Sequence, residues 1–274
     1  MCDAGRRRGV AGKTEIEDGV VSRPPSGEGD HEAVEGSGPI SDAPGKPPPP
    51  RFARSPSPDE GGERRRGVTD AASFAKVAKA TPAQIADLAR FLELLTAWNA
   101  NMNLVGPASL PDFWNRHAWD SAQLLRLAPN ALTWADLGAG AGFPGLVLAI
   151  LGKGRPQFHV HLVESMTKRC RFLSEVVSEL GLPATVHNAR AETLTLAVDI
   201  VTARACAPLH RLFGYARSYL AMGAQGLFLK GQDVVADMTE AARYWEYEAD
   251  VVPSLSDPGG RIVRVKRLGR ARKV

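Results

Sequence analysis

The stretch that decides the fold is Asp136-Leu-Gly-Ala-Gly-Ala-Gly-Phe-Pro-Gly145, a glycine-rich loop between two apolar segments. An apolar run at 133–137 precedes the loop and another at 144–151 follows it, which predicts a strand, a turn and a helix. The glycines allow the chain to turn sharply and let a ligand press against bare backbone. The sequence therefore predicts a cofactor-binding loop in an α/β protein.

An alternating pattern of strands and helices extends from this loop to the C-terminal region. Such alternation is typical of a parallel sheet with helices on both faces. The sequence predicts strands at 133–137, 159–163, 184–187, 200–203 and 226–229, and helices at 144–151, 167–180 and 209–220. Two further strands, 245–252 and 261–268, flank the turn-forming Ser256-Asp-Pro-Gly-Gly260 and predict an antiparallel hairpin. We expect a Rossmann-like α/β fold whose mostly parallel sheet has this hairpin at one edge.

Two helices are predicted ahead of the sheet. Thr81-Pro82-Ala-Gln84 is a capping-box pattern with proline at the first helical position, and apolar residues then recur at helical spacing as far as Trp98. The asparagine-rich stretch 99–103 is expected to end this first helix, and a second is predicted over 110–127. We expect residues 71–130 to form a small helical cap and residues 131–274 to form the cofactor-binding domain.

The first 70 residues differ in composition from the rest of the chain. They contain 22 Gly plus Pro and a single aromatic residue, Phe52, a composition that buries too little apolar surface to offset chain entropy. We expect this extension to be disordered. It has 11 Lys/Arg against 13 Asp/Glu, so 23 of the 34 basic and 17 of the 30 acidic residues, a net charge of +6, lie in 71–274. This modest excess is compatible with a polyanionic partner.

Cysteine usage and hydropathy indicate the cellular compartment. The three cysteines, Cys2, Cys170 and Cys206, have neither metal-ligand spacing nor a disulfide framework. No apolar run approaches the roughly 18 residues that a membrane span needs. We therefore expect a cytoplasmic protein that binds no metal and contacts no membrane.

The residues after the glycines bear on the identity of the cofactor. A dinucleotide fingerprint G-x-G-x-x-G that starts at Gly138 requires a glycine at position 143, where this chain has Phe143. Pro144 also lacks the amide that a phosphate-binding helix terminus would donate. An NAD(P)-dependent oxidoreductase is therefore the weaker interpretation, although it stays open at this point.

An adenosine pocket is predicted at the ends of the next two strands. Glu164 ends the second strand, where a carboxylate can accept hydrogen bonds from both hydroxyls of an adenosine ribose. The loop after the third strand, with Ala191 and Glu192, is expected to lie beside the adenine. Together with the backbone of Gly138 and Gly140, these residues favour S-adenosylmethionine as the cofactor.

The segment after the fourth strand, Thr202-Ala-Arg-Ala-Cys-Ala-Pro208, indicates which chemistry is absent. It lacks the Asn or Asp followed by two prolines and an aromatic residue that is common in exocyclic-amine methylation of bases. Cys206 lacks the preceding proline of a cytosine C5 nucleophile, so packing is its expected role. A site with Arg204 and no evident base suits a ring nitrogen such as guanine N7, which needs only in-line placement. Arg204 is a candidate for substrate orientation, and a structural salt bridge remains the alternative.

Several further basic residues are candidates for contact with RNA. Lys168 and Arg169 open a predicted helix, where cations oppose the helix dipole and therefore serve some purpose other than helix stability. Lys168 is a second candidate for substrate orientation, and Lys230 follows the fifth strand. His117, three residues before Asp120 on the same helical face, is another RNA candidate, with a packed His–Asp pair as the alternative.

Six motifs together resemble one family, the bacterial small-subunit ribosomal RNA methyltransferase G, also called glucose-inhibited division protein B. They occur in the family's order within residues 80–252 and are Trp98-Asn-Ala-Asn-Met-Asn-Leu-Val105, Arg116-His-Ala-Trp-Asp-Ser121, Asp136-Leu-Gly-Ala-Gly-Ala-Gly-Phe-Pro-Gly145, Glu164-Ser-Met-Thr-Lys-Arg169, Arg204-Ala-Cys-Ala-Pro-Leu209 and Leu229-Lys-Gly231. Two features depart from the family pattern: the long N-terminal extension, and Glu164 where many members have Asp.

The resemblance implies a class I methyltransferase fold and transfer of a methyl group from S-adenosylmethionine to N7 of one guanosine in 16S rRNA. Carried over by position, it implies cofactor contacts at Gly138, Phe143, Ala191, Glu192 and Arg204. The expected partner is 16S rRNA or the 30S ribosomal subunit, and we expect a monomer. A methyltransferase that acts on another RNA, a protein or a small molecule, and a non-catalytic RNA-binding assembly factor, are the alternatives.

Overall fold

A seven-stranded sheet organises the protein in a computed structural model that describes residues 67–271. The strand order is β3-β2-β1-β4-β5-β7-β6. The strands are β1 (Thr133–Leu137), β2 (His159–Glu164), β3 (Ala184–Asn188), β4 (Ile200–Arg204), β5 (Gln225–Lys230), β6 (Trp245–Pro253) and β7 (Arg261–Arg270). Residues 1–70 are expected to be disordered. Of these, residues 1–66 lie outside the part of the chain that the structure describes.

The sheet has the predicted mixture of parallel and antiparallel pairs. β1 to β5 pair in parallel, whereas β7 pairs antiparallel with both β5 and β6. The hairpin therefore lies at one edge of the sheet, with β6 outermost, and the predicted Rossmann-like fold class is confirmed. Each predicted strand lies within two residues of its observed bounds at both ends, because the period-2 and continuous apolar patterns of buried strands are strong signals.

Two hydrophobic layers cover the sheet. One layer packs Trp134, Leu162 and helices from the N-terminal half of the chain, and the other packs Ala135, Val163 and the helices that follow β4. Alternate residues of β1 face opposite layers, as the pleat of a strand requires. The helices in these layers are α1 (Ala71–Ala78), α2 (Pro82–Met102), α3 (Asp120–Ala122), α4 (Leu124–Leu127), α5 (Gly145–Gly152), α6 (Thr167–Glu179), α7 (Leu209–Ala221) and α8 (Val234–Ala241).

The first two helices differ from the prediction. α1 was not predicted, because its capping box joins Asp70 to Ser73 and so lacks the Glu or Gln of the usual signature. α2 begins at Pro82 as predicted and continues through the asparagines to Met102. The buried Asn99 accepts a hydrogen bond from the Val105 amide through Oδ1 (2.8 Å), so its side chain fastens the helix end instead of breaking the helix.

The prediction of one helix over 110–127 is wrong. The segment contains a π-helix at Phe113–Trp119, which passes directly into the short helices α3 and α4. A single-turn π segment has no sequence signature of its own and is frequent at functional sites. The short helix α8 was also not predicted. The boundary at 130 between a cap and a cofactor-binding domain stays a prediction, because the helices on both sides of it share one hydrophobic layer.

Candidate functional site

The glycine loop after β1 adopts the tight turn that its sequence predicts. Gly138, Gly140 and Gly142 have φ values of 69°, 55° and 89°, a region that side chains other than glycine rarely adopt. A Cβ atom at Gly138 would lie 2.6 Å from Sγ of Cys206. Glycine is thus required at position 138 for its conformation and for the close approach of the β4–α7 loop.

Asp136 lies beneath this loop and was not predicted as a site residue. Its side chain is completely buried, and its Oδ2 accepts a hydrogen bond from the Gly145 amide at the start of α5 (2.8 Å). Oδ1 has no hydrogen-bond partner among residues 67–271. Burial raises the pKa of this carboxyl to about 7, opposed by the Gly145 hydrogen bond and the charge of Arg204. The unpartnered oxygen is the atom that carries a proton in the neutral form.

Glu164 supports the glycine loop from the end of β2. Its Oε2 accepts a hydrogen bond from the Gly140 amide (3.0 Å) and its Oε1 accepts one from the Met166 amide (2.8 Å). The side chain is only 4% exposed, and the Arg169 guanidinium lies 3.8 Å from Oε2. Glu164 is thus adjacent to the loop, as predicted, and holds it in shape. Its contact with a ribose stays a prediction.

The predicted adenine edge lies on a short 3-10 helix after β3. Ala191 and Glu192 begin this turn, and Glu192 pairs with Arg190 at 3.7 Å on the surface. The end of β3 lies beside the end of β2, because the Ala189 amide donates to the Glu164 carbonyl (3.0 Å). The edge is therefore close to Glu164, as the topology requires.

Arg204 ends β4 and is the most highly connected residue of the site. Its guanidinium donates to the Arg116 carbonyl (2.9 Å) and to Oδ2 of Asp120 (3.3 Å), and it lies 2.9 Å from Nδ1 of His117. Its Cζ also lies 4.7 Å from the centroid of the Phe143 ring, a cation–π geometry. The salt bridge that sequence analysis left as an alternative for Arg204 is present, in a side chain only 18% exposed.

His117 joins Arg204 and Phe143 into one cluster. Its ring stacks on Phe143 with the centroids 4.5 Å apart and the planes at 15°. Burial first, and then the charges of Arg204 and Arg116, lower the pKa of His117 to about 3. The imidazole is therefore neutral, and because Nδ1 accepts from Arg204, the hydrogen is assigned to Nε2. Nε2 has no partner, which leaves it as a buried donor.

A cavity of about 850 Å³ opens above the C-terminal ends of β1 and β4. This volume lies in the range of roughly 300–1,000 Å³ that is typical of ligand sites, and we call it the cofactor cavity. Of the predicted site residues, it is lined by Gly138, Gly140, Phe143, His117, Arg169 and Arg204. The remaining predicted residues, Glu164, Ala191, Glu192, Lys168 and Lys230, do not line it.

The two predicted lysines have different environments. Lys168 is exposed on the first turn of α6. The Lys230 ammonium instead pairs with Oδ2 of Asp237 at 2.5 Å and donates to the Ala207 carbonyl (3.1 Å). Oδ1 of Asp237 accepts from the Leu209 amide (2.9 Å), so this lysine helps to fasten the start of α7. Contact of either lysine with RNA stays a prediction.

Cys206 is exposed, so the packing role that sequence analysis expected is limited to its contact with the glycine loop. Its Sγ lies against Gly138. Burial, and the charges of Asp136 and Glu164, raise the pKa of the thiol. A raised pKa lowers the thiolate fraction and therefore disfavours a nucleophilic role.

The wall opposite the glycine loop was missed by sequence analysis. It is formed by the turn between β6 and β7, residues 254–260, against the π-helix and α3. Gln123 donates to Oγ of Ser254 (3.0 Å) and accepts from the Leu255 amide (2.8 Å), and Oγ of Ser256 donates to Oδ1 of Asp120 (2.6 Å). No local sequence signal marks these residues as partners, because the bonds join positions more than 130 apart.

The residues of the cofactor cavity fit S-adenosylmethionine. Bare backbone from Gly138 to Ala141 lines one side, and the guanidinium of Arg204 supplies a fixed positive charge on the other. Within residues 67–271 there is no group of three or more His, Cys, Asp and Glu residues placed to hold a metal ion. None of the helices in that part of the chain is long and apolar enough to cross a membrane.

The sheet order, the glycine loop with Phe143 where a dinucleotide fingerprint needs glycine, and the cavity above the strand ends define the class of protein. It is a Rossmann-like methyltransferase that uses S-adenosylmethionine.

Comparisons with known proteins agree with this class. The family model for rRNA small subunit methyltransferase G matches residues 84–260. The ribosomal RNA small subunit methyltransferase G of Caulobacter sp. (strain K31) is 64% identical over 205 residues, which are 75% of this chain and 93% of that protein. The protein of the same name from Caulobacter vibrioides (strain NA1000 / CB15N) is 62% identical over 205 residues, which are 75% of this chain and 95% of that protein. The ribosomal RNA small subunit methyltransferase G of Methylorubrum populi is 50% identical over 191 residues, which are 69% of this chain and 90% of that protein. The chain belongs to the rRNA small subunit methyltransferase G family.

Proposed function

We propose that the protein transfers the methyl group of S-adenosylmethionine to N7 of one guanosine in 16S rRNA. The observation that carries this proposal concerns the two ionisable side chains that Arg204 contacts. Both are already engaged in hydrogen bonds. Nδ1 of His117 accepts from Arg204, and the pKa of the imidazole is about 3. Asp120 is shared between Arg204 and Ser256. Neither group is available to remove a proton, which favours an acceptor atom that already presents a lone pair, as guanine N7 does.

The cofactor contacts that we assign lie partly on the walls of the cavity and partly on the neighbouring strand ends of β2 and β3. S-adenosylmethionine supplies an electrophilic methyl group when bound. We assign its binding to the glycine loop and Arg204, with the adenosine end towards the edge formed after β2 and β3. The residues in this assignment are Gly138, Gly140, Phe143, Glu164, Ala191, Glu192 and Arg204. Phe143 also keeps Arg204 in place through the cation–π contact.

The substrate contacts in this proposal are His117, Lys168, Arg169 and Lys230. His117 lines the cavity. Arg169 lines the same cavity, and Lys168 is exposed next to it in the chain. Cations at this rim suit RNA phosphates, and binding should weaken as salt concentration rises. We assign the orientation of the substrate to Arg204 and Lys168.

The substrate also suggests the setting of the reaction. We assign the enzyme to the cytoplasm, where bacterial ribosomal RNA is present, and to a monomer that acts on 16S rRNA or the 30S subunit. Gel filtration of the full chain with light scattering tests the monomer, and fractionation of cells that produce the chain tests the compartment. A dimer mass, or recovery in the membrane fraction, contradicts the respective assignment.

Label transfer tests the reaction itself. The full chain is incubated with tritiated S-adenosylmethionine and naked 16S rRNA, 30S subunits that lack the modification, or bulk protein. We expect label in one RNA sample, in a nucleoside that mass spectrometry and reductive strand cleavage identify as N7-methylguanosine. Label only in protein, or in an exocyclic amine, contradicts the proposal.

A matched pair of variants connects the label to the site. Arg204→Ala removes a preorganised cation from the cavity and should reduce kcat/KM at least about 100-fold. Arg243→Ala is the control, because Arg243 is exposed just after α8 and, among residues 67–271, forms an ion pair only with Glu240. It should stay within about twofold of the wild type. Equal activity of the two variants would contradict a role for Arg204.

A further inference from the structure

A second, smaller cavity adjoins the cofactor cavity above the ends of β4 and β5. Its volume is about 220 Å³. It is lined on the sheet side by Arg204, Ala205, Leu229, Lys230 and Gly231, and on the opposite side by residues of the β6–β7 turn, among them Ser254, Asp257 and Arg261. The cavity is therefore a slot between the strand ends and the turn.

The slot shares four lining residues with the cofactor cavity and lies directly beside it. Asp120, Arg204, Ala205 and Asp257 line both. A volume below the roughly 300–1,000 Å³ of whole-ligand sites suits one planar base and not a nucleotide or a second cofactor. Enzymes that modify a base commonly take it out of its stack and read its Watson–Crick edge in such a pocket.

Asp257 is the acceptor on the turn side of the slot. Its Oδ1 accepts a hydrogen bond from the Gly259 amide (2.8 Å), which sets the turn, and none of residues 67–271 donates to its Oδ2. Arg261 steadies the turn by donating to the carbonyls of Pro258 (2.8 Å) and Gly260 (2.7 Å). A carboxylate held in this way presents acceptor atoms only.

We propose that this slot holds the target base and that Asp257 reads guanine by accepting hydrogen bonds from its N1–H and its 2-amino group. The inference rests on the proposed function, because it assumes that RNA guanine is the substrate. In guanine, N7 lies on the opposite side of the fused rings from N1 and the 2-amino group. A base whose Watson–Crick edge meets the turn therefore directs N7 towards Arg204 and the cofactor cavity.

The same carboxylate also assists the reaction. The N7 lone pair forms the new N–C bond while the S–C bond breaks and its electron pair goes to sulfur, so positive charge moves onto the guanine ring. The ring N1–H becomes a stronger donor as this charge develops. Its hydrogen bond to Asp257 strengthens in the transition state, and interactions of that kind raise kcat.

The experiment changes one polar group on the enzyme and one on the RNA base. The guanosine that the wild type labels is first located, and small subunits are then reconstituted from ligated 16S rRNA with guanosine or inosine at that position. Inosine lacks the 2-amino group. The enzyme variants are Asp257→Asn, which retains an acceptor for the Gly259 amide, and Asp233→Asn, an exposed control with the same charge change that does not line the slot. Kinetics, melting temperature and cofactor affinity are measured for each.

We expect the wild type and Asp233→Asn to prefer guanosine over inosine at least about tenfold in kcat/KM. Asp257→Asn should lose about tenfold or more in kcat on guanosine and show nearly equal rates on the two substrates, at unchanged melting temperature and cofactor affinity. This inference alone is overturned if Asp257→Asn labels RNA with the same preference for guanosine over inosine as the wild type. It is also overturned if the wild type labels RNA without that preference. RNA that the wild type leaves unlabelled overturns the proposed function, and this inference with it.

Discussion

The two walls of the cofactor cavity are built in different ways. The glycine loop is closed by bonds between near neighbours, such as Gly142 to the Ala139 carbonyl (2.7 Å) and Gly145 to Asp136. The opposite wall is closed by side chains far apart in the chain, such as Gln123 with Ser254. The first wall depends on backbone conformation and the second on polar side-chain bonds. Substitutions should therefore damage them by different physical mechanisms and to different extents.

The largest effect is expected from Gly138→Ala in the glycine loop. An alanine at φ 69° costs about 1–2 kcal/mol, and its Cβ 2.6 Å from Cys206 Sγ adds overpacking of about 1–3 kcal/mol. We expect the free energy of unfolding to fall by about 2–5 kcal/mol in urea titrations, together with weaker cofactor binding.

Cys206→Ala is the control that separates the cost of the backbone strain from the cost of the steric contact. In this background the steric contact is removed and the backbone strain remains. Gly138→Ala should then cost only the strain, about 1–2 kcal/mol relative to Cys206→Ala alone. A full rescue would show that the positive φ at position 138 costs nothing, and no rescue would show that the contact with the thiol is irrelevant.

A smaller effect, dependent on pH, is expected at His117, where the two walls meet. The pKa of this residue falls from 6.5 to about 3 on folding, so between these values the unfolded chain binds the additional proton. The stability that His117 contributes is therefore present above pH 6.5 and lost as pH falls. Relative to His117→Gln, the wild type should lose about 2 kcal/mol of unfolding free energy between pH 7 and pH 5.

The stability that Asp136 contributes has the opposite dependence on pH, so the pH profiles of variants at the two residues can be compared directly. Its pKa is raised to about 7, so the stability it contributes is present below its unfolded value of 3.8 and lost as pH rises to about 7. The two groups oppose each other in the wild type. Asp136→Asn should reveal a stability that rises with pH, and His117→Gln a stability that falls. Parallel pH profiles for the two variants would contradict this assignment.

The sequence predicted the parts of the site whose conformation is encoded locally. The glycine loop, Glu164 at the end of β2 and Arg204 at the end of β4 follow from strand ends in a parallel sheet, where the topology alone places them together. The π-helix at Phe113–Trp119 was not predictable, because its hydrogen-bond pattern has no distinct side-chain periodicity. The asparagine-rich stretch 99–103 ends α2 as predicted, with Asn103 as the C-cap, but the helix extends to Met102, because Asn99 accepts a hydrogen bond from the Val105 amide that no sequence spacing indicates.

The opposite wall was not predictable for a further reason. Ser254 and Ser256 resemble ordinary turn residues in the sequence, and their partners on α3 become neighbours only when β6 and β7 close the edge of the sheet. The same holds for Lys230, which sequence analysis proposed as an RNA contact and which forms an ion pair with Asp237 in the folded protein. Pairings of this kind depend on tertiary structure and leave no spacing to recognise.

The smallest effect is expected from Ser256→Ala in that wall. The lost hydroxyl donates to Asp120, a bond worth about 1 kcal/mol. Because Oδ2 of Asp120 holds Arg204, we also expect kcat to fall a fewfold at unchanged cofactor affinity. In a double-mutant cycle with Asp120→Ala, which removes the acceptor, most of this cost should disappear. Thr239→Ala, whose exposed hydroxyl bonds only within α8, is the control and should leave kcat unchanged. Additive costs in the cycle would show that Ser256 acts independently of Asp120, and the wall would then stabilise the turn without positioning Arg204.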